Sequence, residues 1–119
     1  MVKDPLDRYR RLAEIHAAMD YGDHNSVRKG NSAARAMGKV AAKMLTGGRP
    51  SVDRFSILLE DSHSHVALWA AHHLLELAQL DDPTKQRAVG IIKHASRGND
   101  ANALGERIWL QQWRKKASV

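Results

Sequence analysis

Residues 64–80 read SHVALWAAHHLLELAQL and form the most apolar part of the chain. Apolar side chains recur there every three or four residues, which places on one stripe of an α-helix Val66, Trp69, Ala70, His73, Leu74 and Leu77. The pattern is too long for a β-strand, and it lacks the alternation of apolar and polar positions that strands show. It predicts a helix at about 64–80 whose stripe, including His73, faces a core.

Five further segments have the same spacing, and we predict helices at about 5–19, 25–45, 52–59, 83–98 and from 101 onward. Each of four predicted helices follows a side chain that commonly caps helices: Asp4, Ser51, Asp82 and Asn99 or Asp100. In the last helix, one face flanked by Trp109 and Trp113 is predicted to be shared by Ala101, Leu104, Ile108 and Gln112. Because the connections are short, the sequence predicts an all-α fold, a compact HEAT-repeat-like stack of about six helices packed as antiparallel helical hairpins. We expect one domain over 1–119 with a short basic tail at 114–119.

Composition excludes several classes of protein. The chain has no cysteine, which rules out disulfides, thiolate zinc sites and cysteine nucleophiles. The first residues lack the apolar core of a secretion signal, and no apolar run approaches the roughly 20 residues that span a bilayer. We therefore expect a cytoplasmic protein that does not bind membranes. The net charge of +6 is compatible with an acidic protein or a nucleic acid as partner, and equally with a charge that only keeps a small domain soluble.

The second predicted helix carries a basic ridge, which we define as Arg28, Arg35, Lys39 and Lys43. At 100° per residue these side chains fall within a stripe about 80° wide. Apolar residues occupy the opposite side: Val27, Ala34, Met37, Val40, Ala41, Met44 and Leu45. No acidic residue of this helix can pair with the ridge. The pattern is compatible with a plain solvated face or with a docking surface for an acidic protein or a phosphate backbone.

The remaining polar residues do not form a catalytic pattern. The chain has seven histidines, and His63, His65, His72 and His73 are close in sequence. On a helix His65 and His72 would be about 10 Å apart, too far to share a metal ion. His63 and His65 could join Asp61 around a metal only if the preceding turn curled back. We therefore predict no metal site, no cofactor and no enzymatic activity.

Two tryptophans near the C-terminus allow more than one interpretation. Trp109 and Trp113 lie one helical turn apart, next to Arg114. Such a pair can stack on nucleobases or anchor a protein interface. More often it closes the end of a small helical core, and we favour that interpretation while keeping the three residues as secondary contacts.

Three stretches carry a resemblance to a known family. Residues 60–75, EDSHSHVALWAAHHLL, resemble a HEAT repeat, in which an Asp-containing turn precedes a Val, an Ala pair and a Leu. Ala67 stands where that pattern usually has Arg. The stretch 61–77, together with 22–23 leading into 31–35 and with 105–113, makes the chain similar to the bacterial family called domain of unknown function 2019, whose members resemble HEAT-like helical hairpins.

The resemblance implies a function without chemistry. Related small helical proteins are suspected immunity proteins, which neutralise a toxin by covering its active surface. For this chain it implies a protein-binding module whose ridge docks on an acidic toxin domain. The alternative is a nucleic-acid-binding protein that uses the same ridge, with binding that weakens steeply in salt.

Overall fold

The computed structural model describes residues 4–117, and every regular element in that range is helical. This confirms the all-α prediction. The helices are α1 Pro5–Ala17, α2 His24–Leu45, α3 Arg49–Ser56, α4 Ser64–Leu77, α5 Asp82–Ala95 and α6 Ala101–Ala117, and a 3₁₀ turn, Ile57–Glu60, extends α3. The predicted basic tail is part of α6 up to Ala117, and its last two positions lie outside the described residues.

Aspartates cap four of these helices, because a carboxylate accepts hydrogen bonds from the free N–H groups of the first turn. The caps are Asp4, Asp23, Asp81 and Asp100, with N···O distances of 2.8–3.0 Å. The predicted cap Asp82 is wrong by one position, since Asp82 is the first residue of α5.

The start of α3 differs from the prediction. The helix begins at Arg49 with Gly48 as its cap, so Ser51 lies inside the first turn and does not cap it. Gly48 has φ +102°, a conformation that glycine adopts without steric cost. Pro50 then fits the first turn, where its missing N–H needs no partner. The helix therefore begins three residues earlier than the predicted start at about 52.

The core lies where α4 meets the other helices. Helix α4 contacts α1, α2, α3 and α5, and α1 packs against α2. The largest fully buried side chains are Tyr9, Met37, Phe55, Leu58, Val66, Leu74 and Ile92. Leu77 was predicted to face this core but is 42% exposed, because α4 ends there and Ala78 is extended.

The face of α6 that Leu104 and Ile108 share does not pack on the core. Leu104 and Ile108 are 51% and 48% exposed, whereas Ala103 and Leu110 are buried. The helix is rotated so that Trp109 packs against the core. A large indole buries more apolar area than one isoleucine or leucine, which favours this orientation. None of the helices in residues 4–117 is both long and apolar enough to cross a lipid bilayer.

Candidate partner-binding groove

An open groove runs between α1 and α2 and reaches the first turn of α3. Its volume is about 1370 Å³. Apolar residues from all three helices line it, and we call them its floor: Pro5, Leu12, Val40, Met44 and Pro50. Basic residues at its edges are Arg8, Arg11, Lys43 and Arg54. We call this depression, together with the smaller one that continues it along α2, the basic groove.

The smaller depression, of about 510 Å³, continues the larger one along α2. It shares Arg8, Val40 and Lys43 with the larger one and adds Arg35 and Lys39. The two depressions therefore border one continuous surface, with cations from α1 and α2 around an apolar floor.

Helix periodicity explains why these cations face outward. On α1, Leu6, Tyr9 and Ala13 are buried, and Arg8 and Arg11 lie on the opposite side of the helix. On α2, the buried side repeats every four residues and includes Met37, Ala41 and Leu45. The other side of the helix is exposed and carries Arg35, Lys39 and Lys43. Packing α1 against α2 then brings two sets of outward-facing cations to the same groove.

The few acidic groups at the groove already have partners. Asp4 Oδ2 accepts a hydrogen bond from Arg54 at 2.5 Å. Asp7 pairs at 3.0 Å with Arg10, which also bonds Asp61 at 2.5 Å. These contacts neutralise the carboxylates locally.

Five cations of the groove are left without a counter-charge. Within residues 4–117 no ion pair involves Arg8, Arg11, Arg35, Lys39 or Lys43. All five side chains belong to exposed residues. An acidic ligand would supply the counter-charge that these cations lack.

Only part of the basic ridge predicted from sequence lies in the basic groove. Arg35, Lys39 and Lys43 line the basic groove, whereas Arg28 is exposed on the same helix outside it. The sequence reasoning missed Arg8 and Arg11. Their spacing of three residues opposite a buried stripe was a usable signal, but their proximity to α2 depends on tertiary packing.

The predicted secondary contacts lie on another part of the molecule. Trp109 donates from Nε1 to Glu76 Oε1 at 2.9 Å and stacks on Trp113 with ring centroids 6.0 Å apart. Lys85 Nζ lies 5.6 Å from the Trp113 ring centroid. Arg114 is exposed beside them. The indoles join α4 and α5 to α6, and neither of them lines the basic groove.

Histidines and aromatic rings form a second cluster, between α1 and α4. Tyr9 is fully buried, and its hydroxyl lies 2.6 Å from Nδ1 of His73. Burial raises the pKa of Tyr9 and lowers that of His73, so burial favours the neutral form of both side chains, and the hydroxyl and the imidazole share one buried hydrogen bond. The prediction that His73 points into the core is confirmed.

The protonation of His65 follows from its partners. The Trp69 indole, which can only donate, lies 2.8 Å from His65 Nε2. That nitrogen is therefore an acceptor, so His16 Nδ1, 3.0 Å away, must donate to it. Burial, together with the nearby His16 and His63, lowers the pKa of His65 to about 4.

Other histidines and carboxylates are also engaged in tertiary contacts. His72 Nε2 donates to Glu106 Oε2 at 2.6 Å. Burial opposes ionisation of Asp61, but the His63 N–H and the Arg10 guanidinium hold its pKa below the usual value. Residues 4–117 contain no group of three or more His, Cys, Asp or Glu side chains placed to bind a metal ion.

Comparison with known proteins adds no relative to these observations. No protein-family model matches the chain. No curated protein and no solved structure is significantly similar to it. The resemblance drawn from residues 22–113 therefore stays a prediction, and function has to be inferred from the basic groove.

Proposed function

We propose that the chain is a non-enzymatic protein-binding module of the bacterial cytoplasm, which holds an acidic protein partner in the basic groove. The observation that carries this proposal is the set of five unpaired cations around an apolar floor. Charged edges speed encounter with an oppositely charged surface, and apolar contacts then slow dissociation. The HEAT-like resemblance agrees with a rigid helical scaffold of this kind.

The most specific form of the proposal is an immunity protein. Such a protein needs no chemistry, because it neutralises a toxin by covering the toxin's active surface. The contacts of the histidines support a non-enzymatic role, because each of three imidazoles is hydrogen-bonded to another side chain: His65 to Trp69, His73 to Tyr9 and His72 to Glu106. These imidazoles stabilise helix packing.

Nucleic acid is the second candidate. It ranks below a protein because the groove is partly apolar. A phosphate backbone would satisfy Arg35, Lys39 and Lys43. It offers little, however, to cover Leu12, Val40 and the neighbouring apolar residues of the floor. Protein surfaces combine acidic and apolar groups and can satisfy both parts of the groove.

Site-specific crosslinking tests the proposal. A photoreactive phenylalanine analogue replaces Ser32, which lines the groove on α2 and is exposed, and the matched control replaces exposed Gln112 on α6. Irradiation of the native host should give a protein adduct at position 32 alone, and Arg35→Glu with Lys39→Glu should abolish it. A nucleic-acid adduct alone, or identical protein adducts at both positions, would contradict the proposal.

The immunity role has its own test. The captured protein is expressed alone and together with this chain in a bacterial host, and viable cells are counted. We expect toxicity from the partner alone, rescue by the wild-type chain and no rescue by the double variant. A captured protein that is harmless when expressed alone would remove the immunity role but leave protein binding in place.

A further inference from the structure

Resting on the proposed function, we infer that the basic groove receives one amphipathic α-helix of the partner, with acidic residues on one side and apolar residues on the other. The inference concerns the shape of the ligand as well as its charge. Three features of the groove point to it: its size, the repeat of its cations and the composition of its floor.

The size of the groove corresponds to a short helix. The residues of α2 that line the groove run from Ser32 to Met44, so the groove follows this helix for about 18 Å. A partner helix of roughly three turns has the same length. The second depression, about 510 Å³, extends the same surface along α2 and gives room for additional side chains.

The cations of α2 are spaced so that carboxylates on a second helix can pair with them. Arg35, Lys39 and Lys43 follow one another at intervals of four residues, so each step is about 6 Å along the helix axis. Acidic residues at intervals of four on a partner helix have the same rise. A helix lying along α2 could therefore pair several carboxylates with the ridge in one register, and Arg8 and Arg11 supply further cations from α1.

The floor distinguishes a helix from a disordered acidic segment. Leu12 and Val40 are partly buried and pack on the core, with their remaining surface lining the groove. Met44, only 7% exposed, adds a side chain that adapts to different apolar shapes. Helices that bind in grooves place apolar anchors at every third or fourth position, which suits a floor of this size. A purely acidic segment would leave it in contact with water.

Two labelled peptides of about 16 residues test the inference. Both contain the same number of glutamates and leucines: in the first, these form opposite faces of a helix, and in the second, the same residues are permuted so that no face forms. Binding to the full chain is measured by fluorescence anisotropy at about 0.15 M salt. We expect the amphipathic peptide to bind at least about 10-fold more tightly than the permuted one.

Variants of the chain locate the binding. Arg35→Glu with Lys39→Glu should weaken binding of the amphipathic peptide about 10-fold or more. The control is Lys29→Glu with Lys93→Glu, an equal charge change at exposed positions outside the groove, which should change the affinity less than about 3-fold. Val40→Asn should also weaken peptide binding, because it removes an apolar contact from the floor. Val89→Asn on α5 is the matched control, since Val89 is also a partly buried residue packed on the core. Thermal melts confirm that each variant folds.

Several results would overturn the inference. They are equal binding of the two peptides, binding that is insensitive to both groove variants, or a DNA duplex of similar charge that binds more tightly than the amphipathic peptide at the same salt. These results are distinguishable from failure of the proposed function. A protein crosslinked at position 32 combined with equal peptide binding would leave the protein-binding function standing and remove only the helical ligand.

Discussion

Acidification should destabilise the fold through His65, and the size of the effect can be worked out. The folded-state pKa of about 4 lies below the unfolded value of about 6.5. Below pH 6.5 the unfolded chain therefore binds the proton more readily than the folded chain does. The stability that neutral His65 contributes is fully present above pH 6.5 and is lost progressively as the pH falls toward 4.

The magnitude follows from the separation of the two pKa values. One pKa unit corresponds to about 1.4 kcal/mol, so lowering the pH from 7.5 to 5.0 should remove about 2 kcal/mol of the free energy of unfolding through this residue. His65 is only partly buried, and solvent screening reduces the expected loss to about 1–2 kcal/mol. Burial also lowers the pKa of His16 and of His73, so both add losses of the same sign.

Urea unfolding of three proteins at pH 7.5 and 5.0 isolates the contribution of His65. The proteins are the wild type, His65→Gln, whose side-chain oxygen can still accept from the Trp69 indole, and His94→Gln, a control at an exposed position on α5. The wild type and the control should lose the same stability on acidification, and His65→Gln should lose about 1–2 kcal/mol less. An equal loss in all three proteins would refute this account of His65.

Two further predictions concern the helix contacts around α1. Tyr9→Phe leaves His73 Nδ1 buried without its hydrogen-bond partner and should cost about 1–3 kcal/mol, or roughly 4 °C in melting temperature for each kcal/mol. A change below about 0.5 kcal/mol would show that the hydroxyl contributes little. Gly38→Ala should stabilise α2 by about 0.5–1 kcal/mol, because no atom lies near the added methyl group. At Gly30 the same methyl group would lie 3.0 Å from Met19 Cγ and nearer still to the Met19 sulfur. Gly30→Ala should therefore lower the melting temperature, and equal stabilisation by the two substitutions would contradict the close approach.

Local signals account for the parts of the fold that the sequence predicted well. Asp followed by Pro marks the start of α1 at Pro5, and the apolar stripe of residues 64–77 identifies α4. Both signals depend on neighbouring positions in the chain. For the same reason the exposed side of α2 was predictable, because the outward direction of Arg35 and Lys39 follows from helix periodicity alone.

Features that depend on contacts between helices could not be predicted in the same way. The rotation of α6 is one case: Leu104 and Ile108 have the spacing of a buried face, but the larger surface of Trp109 takes the place against the core. The groove is another, since only the packing of α1 on α2 brings Arg8 to the ridge. Periodicity specifies which side of a helix is polar but not which other helix lies beside it.

The positions of the three tryptophans have a practical consequence for spectroscopy. Trp69, Trp109 and Trp113 lie on α4 and α6, and none lines the basic groove. Tryptophan fluorescence will therefore report on the surroundings of α4 and α6 and not directly on occupancy of the groove. A single indole introduced at Ser32 would supply a local optical reporter, while the native indoles give an internal reference for the intact fold.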